Sequence, residues 1–190
     1  MSQRDSGYQR KERDLYETPE WVTLALLPHI PEFVGWVLEP AAGGGKIVNA
    51  LKSGGYRVEA TDIETGFDFM DCGRVGHDAI ITNPPYVLAE EFITHALDLM
   101  QHNAGLVAML LRTDYDHART RSHIFAEHRA FARKVVLTKR IQWFEDSKGS
   151  PSFNHAWFIW DWTHEGSPTL AYGPVTPADR GGTENSRDNS

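Results

Sequence analysis

Residues 35–45 read GWVLEPAAGGG, an apolar run followed directly by a turn with three consecutive glycines. The apolar run predicts a buried strand ending at Glu39, because short uninterrupted apolar runs are typical of parallel strands covered on both faces. Residues 46–54, KIVNALKSG, predict the helix that follows the turn. Glycines let the backbone turn sharply and let a ligand approach the main chain, and the helix offers its N-terminal amides. A ligand-binding turn is therefore expected at the carboxyl end of this strand.

Apolar runs and helical stretches alternate along the rest of the chain. Strands are predicted in 56–62, 78–83, 105–112, 131–140 and 155–162, and helices in 19–29, in 88–101 and from the fourth strand to about His128. Such alternation is typical of parallel strands joined by helical crossovers. A polar loop broken by glycine and proline joins the last two strands, and we expect them to pair antiparallel. The predicted class is α/β: a doubly wound, Rossmann-like, mostly parallel sheet of seven strands with an antiparallel final strand.

The composition fits one domain. The chain has 190 residues, of which 41% are hydrophobic, so it can bury one full core. We expect the domain to span 16–173, with disordered polar tails at 1–15 and 174–190. Cys72 is the single cysteine, which excludes an internal disulfide and a thiolate metal cluster, and no metal site is predicted. No apolar run approaches about 18 residues and no secretory signal is visible, which predicts a cytoplasmic protein without a membrane span.

The charge pattern leaves two interpretations open. A net charge of -7 and a pI near 5.7 are unusual for a protein whose sole partner is nucleic acid. Residues 112–140 nevertheless carry eight basic residues against three acidic ones. This local surplus, which begins at Arg112, is either a solvated helix face with strand ends or an edge that faces nucleic acid.

Asp62 ends the second predicted strand, about twenty residues after the glycine turn, where a carboxylate can accept both ribose hydroxyls of an adenosine. Ile63 would then cover the adenine ring. Aspartate is also common at the start of a loop, where its side chain accepts hydrogen bonds from nearby backbone amides. A dinucleotide is the first alternative ligand, but Val48 lies where the dinucleotide fingerprint needs a small residue.

Residues 78–86 read DAIITNPPY, an apolar strand ending in Asn83, Pro84, Pro85 and Tyr86. A plain turn is the structural alternative, yet two prolines fix an amide and a phenol rigidly at a strand's carboxyl end. An aromatic amine is a poor nucleophile because its lone pair is delocalised into the ring. The Asn83 side-chain oxygen and the Pro84 carbonyl would each accept one amino hydrogen and direct the lone pair at a methyl donor. Tyr86 would stack on a flipped base.

These stretches together resemble the gamma class of DNA adenine amino-methyltransferases, over roughly residues 16–162. The resemblance implies S-adenosylmethionine as the cofactor and methyl transfer to adenine N6 in DNA. The four residues that begin at Asn83 match the catalytic signature of the class. The resemblance also implies contacts to the methionine, ribose and adenine parts of the cofactor from Thr18, Pro19, Glu39, Pro40, Ala41, Gly43, Asp62, Ile63, Asp68 and Phe69.

The acceptor side carries a weaker resemblance. The class places an aromatic ring on the second face of the target base, and Phe153 and Trp157 lie near that position. Trp157 also fits a packing face of the final strand, so Phe153, in the preceding loop, is the better stacking candidate. Class members that recognise a defined DNA sequence carry a large recognition domain after this segment. Only about thirty residues of this sequence follow it, so a defined recognition sequence is not expected. The chain resembles small phage- or prophage-like enzymes, and a homodimer of this chain would enlarge its DNA-facing surface.

Other substrates and another class of function stay open. The same signature marks enzymes that methylate a glutamine side chain in translation release factors and some that methylate RNA bases. The release-factor enzymes have a separate N-terminal substrate domain. No such domain is visible in this sequence, which favours DNA over a release factor as the substrate. A methyltransferase fold that only binds nucleic acid or a protein would fit the acidic net charge, but the intact signature at Asn83 favours an enzyme.

Overall fold

The computed structural model describes residues 16–143 and 153–173. Their strands form one seven-stranded sheet in the order β2-β1-β3-β4-β6-β5-β7, which confirms the predicted α/β, Rossmann-like class. The strands are β1 Trp36–Glu39, β2 Arg57–Ala60, β3 Ala79–Thr82, β4 Leu106–Arg112, β5 Phe131–Val136, β6 His155–Asp161 and β7 Thr169–Tyr172. The tails predicted at 1–15 and 174–190, and residues 144–152 of the loop before β6, lie outside the described residues.

One strand of the sheet runs against the others. β6 lies between β4 and β5 and pairs antiparallel with both, as predicted for the last two apolar runs. It is not the final strand, however, because β7 follows it and pairs parallel with β5 at the edge of the sheet. Leu170 and Tyr172 of β7 are both exposed, so this strand lacks the buried apolar run that marks β1, β3, β4 and β6.

The α-helices are α1 Glu20–Leu24, α2 Lys46–Ser53 and α3 Ala89–Gln101. The helix predicted at 19–29 is interrupted: α1 ends at Leu24, and a 3-10 turn follows at Leu27–His29. Pro28 explains the break, since proline disfavours the α conformation in the residue before it and cannot donate a helical hydrogen bond. The prediction of a helix after β4 is wrong. Two 3-10 turns, Tyr115–His117 and Arg119–Ile124, take its place and bury only Ile124, too little apolar surface for an amphipathic helix.

Alternate residues of the central strands pack on opposite sides of the sheet. Ile80 of β3 packs with the buried face of α3, whereas its neighbours Ala79 and Ile81 pack in the cluster that contains α1 and α2. Both faces are therefore covered, which is why the strand sequences read as continuous apolar runs. Among the described residues, no helix is long and apolar enough to cross a membrane.

Candidate active site

A cleft with a volume of about 1130 Å³ opens at the carboxyl ends of β1, β2 and β3. This is the edge at which open α/β sheets bind ligands. The cleft brings together most of the residues predicted for the cofactor and two of the four signature residues. The predicted residues that line it are Thr18, Pro40, Ala41, Gly43, Asp62, Ile63, Asp68, Phe69, Asn83 and Pro85.

The glycine turn and Asp62 form one hydrogen-bonded unit. Gly43 and Gly45 adopt positive φ angles of 48° and 79°, and a side chain added at Gly43 would meet open space. The Asp62 carboxylate accepts from the Gly43 amide and from the Glu64 amide, each at 2.9 Å. The loop-entry interpretation of Asp62 is thus correct, but it does not exclude ligand binding, because a carboxylate has about four lone-pair sites.

The far wall of the cleft is apolar. Ile63 is 65% exposed at the rim, close to the exposed side chains of Phe67 and Met70. Phe69 is buried below them, with its ring 5.0 Å from that of Phe92. Asp68 accepts a hydrogen bond from the Met70 amide at 2.9 Å and so begins the short turn that places Phe69. A flat aromatic ring would fit against this wall.

Glu39 lies beneath the glycine turn and does not line the cleft. Its Oε1 accepts hydrogen bonds from the Ala41 amide and from the Thr82 hydroxyl, and the side chain is fully buried. Burial raises the pKa of Glu39 to about 8 against the opposing effect of these two hydrogen bonds, and the charge of Asp62 adds to the rise. Glu39 therefore supports the turn from beneath. Its side chain does not reach the cleft, where the sequence predicts a contact with the cofactor.

Asn83 follows β3 and lines the cleft. Its Nδ2 donates a hydrogen bond to the main-chain oxygen of Tyr16 at 3.2 Å. Its Oδ1 is buried and has no hydrogen-bond partner among the described residues. A buried acceptor without a partner is costly, so this oxygen is suited to a donor that a ligand would bring.

The segment that precedes α1 lies between the two sides of the cleft. Tyr16 contacts Asn83, and Glu17 pairs with Lys46 of α2 at 2.9 Å. Thr18 is 3% exposed and lines the cleft. Pro19 does not line it and is instead the residue that precedes the first turn of α1. The N-terminal segment thus contributes through Tyr16, Glu17 and Thr18.

Tyr86 extends away from the glycine turn and lines a second, smaller groove. Its hydroxyl oxygen is 3.0 Å from Nε2 of His155, the first residue of β6. Its ring centroid lies 6.0 Å from that of Tyr16. Burial lowers the pKa of His155 to about 4, with the positive charge of Arg112 acting in the same direction. His155 is therefore neutral at physiological pH.

Arg112 and Phe153 form an exposed pair beside His155. The guanidinium lies 4.0 Å above the Phe153 ring, and Arg112 also makes two hydrogen bonds to Asp114, at 3.1 and 2.7 Å. In the ladder between β4 and β6, Arg112 is the direct partner of His155. Neither Arg112 nor Phe153 lines the large cleft, so the structure separates them from the glycine turn while keeping them near Tyr86.

Trp157 is not available to a substrate, and the stacking role suggested for it is wrong. The side chain is 0% exposed and packs in the cluster that contains α1 and α2. Its indole Nε1 donates a hydrogen bond to the Val22 carbonyl at 2.8 Å. The packing alternative considered for Trp157 is therefore the correct one.

Several basic residues of 112–140 make contacts within the chain. Lys134 lies 2.9 Å from the Asp116 carboxylate, and Arg121 donates to the Tyr115 carbonyl at 2.8 Å. These contacts favour the structural interpretation for Lys134 and Arg121. No group of three or more His, Cys, Asp or Glu side chains in 16–143 and 153–173 is arranged to hold a metal ion.

Comparison with known proteins reveals likeness in structure alone. No protein-family profile matches the chain, and no curated protein sequence matches it. A protein described as a class I S-adenosylmethionine-dependent methyltransferase, from Listeria monocytogenes, superposes with a TM-score of 0.57 at 12% identity, over 92% of this chain and 71% of that one. The chain has the class I methyltransferase fold.

Two larger proteins share this methyltransferase fold. The type I restriction-modification methyltransferase subunit from Streptococcus thermophilus gives a TM-score of 0.53 at 13% identity, over 78% of this chain and 45% of that one. The modification subunit described for a type I restriction enzyme from Vibrio vulnificus YJ016 gives 0.55 at 15% identity, over 92% and 49%. This chain spans less than half the length of either subunit.

Sequence reasoning missed two residues of the site. His155 was read as part of an apolar strand, although a histidine at the first position of that strand is a polar group at the functional edge of the sheet. Tyr16 contacts Asn83 through its main-chain oxygen, so no pattern of side chains could have indicated this contact.

Proposed function

We propose that this chain is an S-adenosylmethionine-dependent methyltransferase of exocyclic amines and that adenine N6 in DNA is its acceptor. The observation that carries the proposal is the position of Asn83. Asn83, whose Oδ1 has no hydrogen-bond partner among the described residues, lines the same cleft as the glycine turn and Asp62. A hydrogen-bond acceptor for an amine and a carboxylate suited to a ribose thus share one cavity.

The cleft fits S-adenosylmethionine. Open space beside Gly43 admits a ligand close to the main chain, and Asp62 retains lone pairs for ribose hydroxyls. Ile63 and Phe69 would contact the adenine ring, and Asp68 its amino group. Thr18 and the turn at Pro40, Ala41 and Gly43 would hold the methionine part. When bound, this cofactor supplies an electrophilic methyl group on a sulfonium centre.

The acceptor side orients the amine. Asn83 Oδ1 and the Pro84 carbonyl would each accept one amino hydrogen, which draws the nitrogen lone pair out of the ring plane and towards the methyl group. With the amine held in this way, its lone pair would form the nitrogen–carbon bond as the carbon–sulfur bond breaks, and the proton would then leave the cationic nitrogen for solvent. Tyr86 would stack on the base, and Phe153 with Arg112 would contact it or the adjoining strand.

DNA is the favoured acceptor for two reasons. The signature, the cofactor residues and the N-terminal segment resemble the gamma class, and the fold is shared with type I modification subunits. Arg112 and Phe153 add a cation and an aromatic face beside His155, which contacts Tyr86. The net charge of -7 acts against strong binding of duplex DNA. A homodimer would enlarge the DNA-facing surface without changing the sign of this charge.

The acceptor class can be tested by offering all candidates in parallel. The full chain is incubated with methyl-labelled S-adenosylmethionine and, separately, with unmethylated single-stranded DNA, duplex DNA, RNA or a translation release factor. We expect label in DNA. Label only in RNA or in protein would contradict DNA as the acceptor, and cofactor binding without transfer to any of them would indicate a binding protein.

A further inference from the structure

His155 is a buried polar residue that the cofactor and acceptor contacts do not use. It is 2% exposed, and its Nε2 lies 3.0 Å from the Tyr86 hydroxyl. The ring of Trp143 approaches it edge-on, with centroids 5.2 Å apart. Trp143 in turn contacts the ring of Tyr16, and Tyr16 contacts that of Tyr86, at 5.4 and 6.0 Å. The four rings form a closed group in which His155 makes the polar contact to Tyr86.

Tyr86 has one end fixed by its backbone and the other by His155. Pro84 and Pro85 restrict the chain directly before it, and Tyr86 begins the 3-10 turn Tyr86–Leu88. The side chain can still point in different directions, because rotation about χ1 moves the whole ring. The hydroxyl lies on the long axis of the side chain, which runs from Cβ through Cζ. A hydrogen bond to the hydroxyl therefore fixes the direction of that axis. The neighbouring ring of Tyr16 then limits rotation about that axis.

We propose that His155 is a positioning residue, which holds the ring of Tyr86 in the direction needed to stack on the target base through its hydrogen bond to the phenol. This inference rests on the proposed function. It also assigns the Tyr86 hydroxyl an intramolecular role, so the ring and not the hydroxyl faces the substrate. Because the imidazole is neutral at physiological pH, the bond does not depend on a charge.

Substitution of His155 by phenylalanine keeps the volume and the aromatic contact with Trp143 but removes the hydrogen bond. In His155→Phe we expect kcat/KM for methyl transfer to DNA to fall about tenfold, the loss expected for one hydrogen bond, with the Kd for S-adenosylmethionine unchanged. His155→Gln places an amide where Nε2 lies and should restore most of the loss. Tyr86→Phe should cost as much as His155→Phe, and the double variant no more than either one.

His77 provides the matched control. It is also buried, and its Nε2 is 3.1 Å from Glu59. His77 precedes β3, at the edge of the sheet opposite the cleft. His77→Phe should change the melting temperature and leave kcat/KM as in the wild type. A His155→Phe variant that loses stability but keeps kcat/KM would overturn the positioning role.

A measurement that needs no substrate tests the hydrogen bond itself. The imidazole nitrogen NMR shifts of His155 should change in Tyr86→Phe, and unchanged shifts would overturn the proposal. Methyl transfer absent from the wild-type chain contradicts the proposed function, whereas transfer that is insensitive to His155→Phe contradicts only the role of His155.

Discussion

Thr82, the last residue of β3, donates its hydroxyl hydrogen bond to the buried carboxyl group of Glu39, the last residue of β1. Glu39 is followed by the glycine turn, and Thr82 is followed by Asn83. The contact therefore ties the glycine turn to Asn83, the proposed cofactor and acceptor sides of the cleft, at the point where two neighbouring strands end. Because methyl transfer needs the two reactants within a fraction of an ångström of their productive positions, a fixed spacing between these strand ends is valuable.

Glu39 should give the protein a characteristic dependence of stability on pH. Its pKa rises from 4.5 to about 8 on folding, so the native state binds more protons than the unfolded state between these values. The free energy of unfolding therefore falls as pH rises through this window, by about 1.4 kcal/mol per pH unit from this group alone. Glu39→Gln removes that contribution, and denaturant unfolding across the window should reveal the wild type losing stability relative to the variant. The exposed Glu32→Gln is the control, and parallel curves for wild type and Glu39→Gln would contradict the prediction.

Asp62→Ala should weaken cofactor binding. The variant loses the carboxylate proposed to accept the ribose hydroxyls and also the hydrogen bond that holds the Gly43 amide. We expect the Kd for S-adenosylmethionine, measured by calorimetry, to rise about 10- to 100-fold, as for the loss of hydrogen bonds to a charged group. Asp71→Ala, at a nearby exposed carboxylate outside the cleft, should bind as the wild type does. Equal affinities of Asp62→Ala and the wild type would remove Asp62 from the cofactor site.

Trp157→Phe should act on stability and not on binding. The substitution leaves the Val22 carbonyl without its buried donor and removes packing between β6 and α1. A loss of about 1–3 kcal/mol in the free energy of unfolding is expected, with an unchanged Kd for S-adenosylmethionine. Phe153→Ala, at a 41% exposed ring, should do the reverse: little loss of stability, but weaker binding of a DNA oligonucleotide. If Trp157→Phe is as stable as the wild type but binds DNA more weakly, Trp157 contacts the substrate and the conclusion that it is a core residue is wrong.

The parts of the fold that the sequence predicts are those with a strong local signal. The buried runs of β1, β3, β4 and β6 and the glycine turn are visible because apolar continuity and glycine clusters have direct backbone causes. β7 is short and exposed and carries no such signal. Trp157 could not be assigned because β6 is buried on both faces, so alternation along the strand does not tell a ligand-facing side from a core side.

The site was predictable where one residue type at one strand end determines the chemistry. Asp62 and Asn83 line the cleft as the sequence predicts, since each lies within two residues of the end of a strand. The contact of His155 with Tyr86 joins residues 69 positions apart, and its existence depends on the register between β4 and β6. Glu39 was expected to contact the cofactor, but only the structure reveals that its side chain points beneath the turn.

The most direct test of the proposed role of Asn83 is nucleoside analysis of unmethylated DNA after incubation with S-adenosylmethionine and either the wild-type chain or Asn83→Ala. We expect N6-methyladenine with the wild type and none with Asn83→Ala, and calorimetry should give both proteins the same Kd for the cofactor. N6-methyladenine formed equally well by Asn83→Ala would contradict the central claim that the Asn83 oxygen orients the amine for transfer.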